Sequence, residues 1–213
     1  MMFAKYECKL STMTQLNDAL FLWINHRFAS PLMDGFMTFI TVTGDSAVAV
    51  SFGLLALALW SRSPRRAVLL FLAAMALGGG IMHGVKQSLP KDRPLAHFEE
   101  RIAKGELTVR TPYMELYHRT FPSGHTQSAF TAAVFLALAI RRFYPAAALI
   151  TWASLVGFSR IYIGVHFPMD VAAGALLGGL CGWLVFRIGF GGAAVSPDLP
   201  DETATASGQR VTS

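Results

Sequence analysis

The sequence has little charge and almost no cysteine. Of its 213 residues, only 15% are charged and 53% are hydrophobic, which leaves too little polar surface for a water-soluble exterior. The only cysteines are Cys8 and Cys181, and Cys181 falls inside a long apolar run where a partner thiol could hardly reach it. No disulfide framework or thiolate metal site is therefore expected. The composition indicates one integral membrane domain over residues 1–190.

The sequence also lacks a recognisable leader. Nothing near Met1 combines a basic start with an apolar core, so no cleavable signal peptide is expected. The formal net charge is +5, but the basic residues are spread over connections at both ends of the apolar runs. Anionic lipid headgroups account for such a distribution better than nucleic acid does. We therefore expect the bilayer, and not nucleic acid, as a partner, while the oligomeric state stays open.

Long apolar runs dominate what is present. Each is slightly shorter than the roughly 20 residues that a perpendicular helix needs to cross the hydrocarbon, so flanking residues must extend it. The pattern predicts an all-α protein, a polytopic membrane helix bundle of five to six transmembrane helices. The runs are Ser46 to Trp60, Ala67 to Met82, His125 to Ile140, Tyr144 to Phe158 and Val171 to Phe186.

The two ends of the chain differ from this pattern. Residues 16–28 mix apolar and polar side chains, which predicts a helix lying in the membrane interface within an N-terminal segment 1–33. A sixth crossing built from residues 16–43 is the alternative. The tail, residues 191–213, is rich in Gly, Ala, Ser, Thr, Pro and acidic residues and is predicted to be disordered.

Alternation of the spans gives an orientation. The segments 86–123 and 160–170 must lie on one side, with the long loop 90–121 among them. The other two connections share the opposite side and are short and rich in arginine, which indicates the cytoplasm by the positive-inside rule. We expect a multi-pass protein of a prokaryotic plasma (inner) membrane whose polar blocks face the outer, periplasmic side. The basic residues of these connections are Arg62, Arg65, Arg66, Arg141 and Arg142.

One polar block opens the third apolar run. Ser123 and Gly124 follow Pro122 at a predicted helix start, where free N–H groups and the positive end of the helix dipole favour phosphate. Gly124 lets an anion come close to the backbone, and the Ser123 hydroxyl can cap the helix or donate to a phosphoryl oxygen. Ordinary helix capping explains an isolated block of this kind equally well.

A second block lies between the fourth and fifth runs. His166 and Asp170 are four residues apart, and Pro168 between them suits the first position of a helix, so both share one face. A carboxylate that holds the Nδ1–H of an imidazole makes the other nitrogen a better nucleophile. A helix-capping contact is the alternative. Arg160 supplies a planar fork suited to phosphate oxygens.

The remaining block contains Lys86 and Arg93. Pro90 is expected to end the helix between them, and Pro94 favours an extended backbone at Arg93, so the two need not share a helical face. Taken alone, a lysine at the end of a span usually reaches into the headgroup layer and does nothing more. The functional interpretation therefore depends on all three blocks occurring together.

The three blocks together resemble the signature of a known family. Lys86-x6-Arg93-Pro94, Pro122-Ser123-Gly124-His125 and Ser159-Arg160-x5-His166-x3-Asp170 are similar to the three-part signature of the type 2 phosphatidic acid phosphatase superfamily, and all three parts are complete. The resemblance extends from about residue 34 to residue 186. The superfamily includes membrane lipid pyrophosphatases, among them undecaprenyl pyrophosphate phosphatases, and also soluble haloperoxidases. The membrane composition of this chain argues against a soluble haloperoxidase.

The resemblance implies a role for each residue. His166 would attack phosphorus and form a phosphohistidine supported by Asp170, and His125 would protonate the leaving oxygen. The oxygens of the phosphoryl group would be held by Lys86, Arg93, Ser123, Gly124 and Arg160. No metal or other cofactor is expected, because beside these motifs only Asp92 and Asp170 are acidic, and Mg²⁺ sites use clustered carboxylates.

The expected substrate is a lipid phosphate or pyrophosphate, since a site at the membrane surface admits a tail from the side and a headgroup from water. Undecaprenyl pyrophosphate is favoured. Phosphatidylglycerophosphate, phosphatidic acid and lipid A phosphate remain alternatives, as do a lipid phosphotransferase with the same site and a non-catalytic lipid-binding or flipping protein. The sequence does not separate these substrates.

Overall fold

The computed structural model describes residues 2–61 and 64–191. Within these ranges the chain forms nine helices and no strand, so the predicted all-α fold is confirmed there. The predicted disorder of the tail falls on residues 192–213, which lie outside the described residues. The helices are α1 (Met2–Arg27), α2 (Pro31–Thr43), α3 (Ser46–Trp60), α4 (Pro64–Ser88), α5 (Pro94–His97), α6 (Glu99–Ala103), α7 (Gly124–Ile140), α8 (Phe143–Tyr162) and α9 (Pro168–Phe190).

Proline and capping residues set several helix boundaries as the sequence predicts. Helix α4 ends at Ser88, two residues before Pro90, and α9 begins at Pro168. Arg93 is extended, with φ −80° and ψ 165°, directly before the short helix α5. The two blocks that contain these residues therefore have the local backbone that their prolines favour.

Fewer helices are long and apolar enough to cross a membrane than the five to six crossings that the sequence predicts. Among the described residues, α4 and α9 are long and apolar enough to cross, with mean hydropathy 2.0 and 1.8. Helices α2 and α3 form a third candidate only as a pair bent by 66°. Helix α7 has only 17 residues, and α8 contains the polar residues Ser159 and Arg160 near its end at Tyr162. The chain is a helical membrane protein, but five to six crossings are not established.

Helix α7 lies at the centre of the bundle, and glycines of α9 allow close approach to it. A Cβ added at Gly174 would lie 2.5 Å from the Ser123 carbonyl oxygen, and one at Gly182 would lie 2.7 Å from that of Thr131. Gly178 meets the Gln127 carbonyl oxygen in the same way. The prediction that this glycine repeat serves packing within the bundle is confirmed.

Helix α1 is longer than the predicted interfacial helix and docks on one end of the bundle. Its Asn25 is fully buried, and its amide donates to the carbonyls of Tyr162 (2.8 Å) and Arg110 (2.9 Å). Asn17 Oδ1 accepts from the Met169 N–H at 3.0 Å. The asparagines that make this segment too polar for a span thus bind backbone at the ends of α8 and α9. Helix α1 ends at Arg27 and α2 begins at Pro31, so no single helix covers residues 16–43, the alternative sixth crossing.

Candidate active site

The three polar blocks meet at one end of the bundle. Helices α4 and α8 end there, and α7 and α9 begin there. The Ser123 N–H, directly before α7, donates to the Asp170 carbonyl in the first turn of α9 at 3.0 Å. The structure therefore brings the predicted site residues together. They are Lys86, Arg93, Ser123, Gly124, His125, Arg160, His166 and Asp170.

Arg93 is held beside the site by backbone groups. Its side chain is buried, with Nε donating to the His118 carbonyl at 2.8 Å and Nη1 to the Val165 carbonyl at 3.1 Å. These neutral carbonyls orient the guanidinium without cancelling its charge. Burial lowers the pKa of Arg93, and the negative charge of Asp170 opposes this shift. The result is a fixed, incompletely compensated cation.

Arg160 is the most deeply buried cation of the site. Its side chain is 2% exposed, and Nη1 donates to the Thr41 hydroxyl at 2.7 Å. Its Nε is buried without a hydrogen-bond partner. A buried donor left unpaired costs free energy, about 1–3 kcal/mol and more when it is charged, so this N–H is suited to an oxygen brought by a ligand.

The positive charges of the site repel one another. Lys86, in the last turn of α4, experiences the charges of both Arg93 and Arg160. His125, in the first turn of α7, lies in the field of the same three cations. Holding like charges together is costly unless an anion joins them. The arrangement therefore favours a phosphate-like ligand.

His166 lies in the loop between α8 and α9 and is 2% exposed. Burial lowers its pKa from 6.5 to about 3, and the charges of Arg160 and Arg93 add to the effect, while the contacts with Asp170 oppose it. The imidazole is therefore neutral at pH 7, and a neutral ring nitrogen can act as a nucleophile.

The contact between His166 and Asp170 differs from the expected direct hydrogen bond. Nδ1 of His166 and Oδ2 of Asp170 are 3.8 Å apart, and the hydroxyl of Thr120 lies between them. Thr120 Oγ1 is 3.0 Å from His166 Nδ1 and 2.6 Å from Asp170 Oδ2. Sequence reasoning missed Thr120, because no spacing rule links it to residues 46 and 50 positions later in the chain.

Asp170 also has the capping role that was the alternative from sequence. Its Oδ2 accepts from the Phe167 N–H at 2.9 Å, closing the first turn of α9. Its Oδ1 is buried without a hydrogen-bond partner and lies 3.6 Å from Nζ of Lys91. The carboxylate thus fixes the start of the helix and faces the histidine through Thr120, so both interpretations apply to the same side chain.

The start of α7 keeps its backbone donors free of side-chain caps. Ser123 is buried, and its hydroxyl accepts from Thr126 Oγ1 at 2.9 Å, with no capping bond to the helix backbone. The Ser123 O–H proton therefore remains available as a donor. Together with the Gly124 N–H and the helix dipole, it forms the kind of end that binds anions.

The donor set of the site does not resemble a metal centre. Among the described side chains, those of residues 12–59, 61 and 64–191, no three His, Cys, Asp or Glu are grouped so that they could hold an ion. Apart from the carboxylate of Asp170, the site is built from guanidinium, ammonium, imidazole, hydroxyl and backbone N–H groups. Such donors match the oxygens of a phosphate rather than a cation.

Comparison with known proteins gives the family. The sequence profile of the PAP2 superfamily matches residues 67–191, more than half of the chain and all of the blocks described above. This chain belongs to the PAP2 superfamily. The resemblance found from the three motifs is therefore confirmed, and so is the prediction of an enzyme that hydrolyses phosphate esters.

Two PAP2 relatives and one solved structure show how far the similarity extends. Undecaprenyl-diphosphatase BcrC of Bacillus subtilis is 29% identical over 158 residues, which cover 73% of this chain and 75% of that protein. Lipid A 4'-phosphatase of Bacteroides thetaiotaomicron is 38% identical over 68 residues, 32% of this chain, and this chain matches only 30% of that protein's length. The crystal structure of Aquifex aeolicus LpxE superimposes with a TM-score of 0.69 at 32% identity, covering 81% of this chain and 95% of that one.

Proposed function

We propose that this PAP2 protein hydrolyses undecaprenyl pyrophosphate to undecaprenyl phosphate and inorganic phosphate, without a metal, through a phosphohistidine on His166. The observation that carries the proposal is the buried Arg160, whose Nε lacks a partner beside a neutral, buried His166. The free N–H of Arg160 can bind an anion, and the imidazole of His166 can attack an electrophilic centre. A phosphoryl group has both properties.

The proposed reaction proceeds in two displacements. The Nε2 lone pair of His166 forms a bond to phosphorus as the bond to the leaving oxygen breaks, and His125 gives its proton to that oxygen. A water then attacks phosphorus and returns a proton to His125, and the electrons of the N–P bond return to His166. Lys86, Arg93 and Arg160 hold the non-bridging oxygens in both steps, since phosphoryl transfer depends mainly on positioning and charge stabilisation.

A lipid tail suits the surroundings of the site. The Arg160 partner Thr41 lies two residues before Thr43 in α2, and Thr43 lines an apolar groove of about 460 Å³ between α3, α7 and α8. Trp152, at the wall of the groove, donates to the Thr43 hydroxyl at 2.9 Å. A long apolar chain attached to the bound phosphate can leave the site along this groove. The extensive match to BcrC supports a prenyl chain as that tail.

The site is proposed to face the outer side of the plasma membrane. The short connections at the opposite end of the bundle contain Arg65, Arg66, Arg141 and Arg142, the arrangement expected of the cytoplasmic side.

The test is phosphate release by the purified protein in detergent with EDTA and no lipid acceptor. The substrates are undecaprenyl pyrophosphate, phosphatidylglycerophosphate, phosphatidic acid and lipid A. We expect the fastest turnover with undecaprenyl pyrophosphate and at least a thousandfold loss in His166→Ala. The matched control is His26→Ala, which changes an exposed histidine of α1.

The outcomes separate the alternatives. Full activity of His166→Ala would contradict the phosphohistidine, and loss of turnover in EDTA with recovery in Mg²⁺ would contradict the metal-independent mechanism. Release of phosphate only after a lipid acceptor is added would make the protein a phosphotransferase. Preference for another lipid of the panel would replace the substrate but keep the chemistry.

A further inference from the structure

Thr120 is fully buried and lies between the proposed nucleophile and its carboxylate. Its backbone N–H donates to the Lys91 carbonyl at 2.9 Å, which fixes the residue two positions before Pro122. Its Oγ1 is within hydrogen-bond distance of both His166 Nδ1 and Asp170 Oδ2. Neither the family signature nor the spacing of the motifs includes this residue.

The direction of the two hydrogen bonds follows from the number of protons available. A hydroxyl has one proton to donate, and an ionised carboxylate can only accept. The Oγ1 to Oδ2 distance of 2.6 Å is typical of an O–H donating to a carboxylate. Lys91 Nζ, 3.6 Å from Oδ1, favours the ionised form of Asp170. The Thr120 proton is therefore on the Asp170 side.

The histidine must then donate in the other bond. Since the Thr120 proton is used, Oγ1 can only accept from His166, and the proton of the neutral imidazole lies on Nδ1. The lone pair is then on Nε2, the nitrogen that the proposed mechanism uses to attack phosphorus. A direct contact with Asp170 does not fix this tautomer, because Nδ1 and Oδ2 are 3.8 Å apart.

We propose that Thr120 is a positioning residue that connects Asp170 to His166 and holds the imidazole in the tautomer required for attack. When the N–P bond forms, the ring becomes cationic with its proton still on Nδ1. The bond from Nδ1–H to Oγ1 and that from Oγ1–H to Oδ2 then strengthen together, and the negative charge of Asp170 acts through the hydroxyl. The inference rests on the proposed phosphohistidine mechanism.

The test compares variants that remove or keep the hydroxyl. Thr120→Val keeps the shape of the side chain and lacks the hydroxyl, whereas Thr120→Ser keeps the hydroxyl. We expect kcat of Thr120→Val to fall about tenfold to a hundredfold with KM changed less than threefold, and Thr120→Ser to stay within about threefold of the parent. Thr131→Val is the matched control, since it removes another fully buried hydroxyl, one that bonds within α7 and to the Gly178 carbonyl of α9.

A double-mutant cycle with Asp170→Asn adds a readout that a packing role would not produce. If the carboxylate acts through Thr120, the double variant loses little more than the worse single variant. If the Tm of Thr120→Val is more than 5 °C below that of Thr131→Val, Thr120→Ala is used in place of Thr120→Val, with the same expected effects on kcat and KM. Full kcat in the variant without the hydroxyl, equal losses in the Val and Ser variants, or additive losses with Asp170→Asn would each overturn the inference.

Labelling of the enzyme separates this result from failure of the proposed function. The parent is mixed with undecaprenyl pyrophosphate labelled at the terminal phosphate and quenched in alkali, in which phosphohistidine survives. Label on the parent with slower labelling of Thr120→Val supports the inference. Label on both at equal rates overturns only the inference, whereas absence of label on the parent overturns the phosphohistidine itself.

Discussion

Replacement of Arg160 by methionine should move activity and stability in opposite directions. In the free protein this guanidinium is 2% exposed, donates to Thr41 and has an unpaired Nε. Replacing a buried charge by an apolar side chain of similar size stabilises a protein by ~1–4 kcal/mol, from which the lost bond to Thr41 subtracts ~1 kcal/mol. We expect a net gain of about 0–3 kcal/mol, which corresponds to a rise of up to about 12 °C in Tm for a chain of this length.

The same substitution should disable the site. Loss of charge-assisted bonds worth ~3 kcal/mol corresponds to a fall in kcat/KM of at least about a hundredfold. Inorganic phosphate at ten times its Kd should stabilise the parent by ~1.4 kcal/mol and Arg160→Met by much less. The measurement is thermal unfolding in detergent with and without phosphate, together with phosphate release. Arg187→Met, at an exposed arginine in the last turn of α9, is the control and should change neither quantity.

A lower Tm for Arg160→Met in the absence of phosphate would refute this reasoning. It would mean that contacts within the bundle already offset the cost of burying the guanidinium, so that no ligand is needed to stabilise it. An undiminished thermal shift with phosphate would refute it equally, because phosphate would then bind without Arg160.

Four further predictions concern the pH dependence of the rate, the pH dependence of stability, metal and packing. The rate should persist on the acid side to about pH 4, because burial lowers the pKa of His166 to about 3. In the complex, the bound phosphate offsets the charges of Lys86, Arg93 and Arg160 that disfavour protonated His125, so kcat should fall on the alkaline side as His125 loses its proton. A kcat that stays flat from pH 5 to 9, or an acid limb near pH 6 in kcat/KM, contradicts these roles. Acid should also lower the free energy of unfolding below about pH 6, since the unfolded histidine takes up a proton that the buried His166 does not. Denaturant unfolding at pH 7 and 5 measures this loss, which should be smaller in His166→Ala than in the parent; an equal loss in both would contradict the neutral, buried imidazole. Activity should be unchanged after dialysis against EDTA, as measured by phosphate release with and without added Mg²⁺. Gly178→Ala should lower Tm because its Cβ meets the Gln127 carbonyl, whereas Gly179→Ala, whose nearest contact is 3.8 Å away, should not; equal Tm values for the two variants would contradict the close contact of α7 and α9.

The parts of the fold that could be predicted from sequence are those with local causes. Pro168 and Pro90 set helix boundaries through the geometry of the proline ring, and they do so in the structure. The motif residues could be found because their chemistry and spacing are conspicuous together. The crossings were harder to count, because α7 is short and polar side chains interrupt α8 at the site.

The missed contacts are those between residues distant in sequence. Thr120 lies beside His166, Thr41 lies beside Arg160, and Asn25 binds the carbonyl of Tyr162, 137 residues away. A threonine or asparagine in an apolar segment has many local explanations, and only the packed structure shows which partner it has. Polar residues that make a segment look less like a membrane span can therefore be explained only from their contacts in the folded bundle.

The close contact between α7 and α9 fixes more than the stability of the bundle. Because a Cβ added at Gly174, Gly178 or Gly182 would meet the backbone of α7, these two helices pack with little space between them, and His125 and His166 lie at the end of the pair where both helices begin. Space for a substrate to enter is therefore expected at the helices that pack less closely around the site. Helix α4 has open space beside Gly79, Gly80 and Gly84, so the segment of α4 that carries Lys86 has room to move.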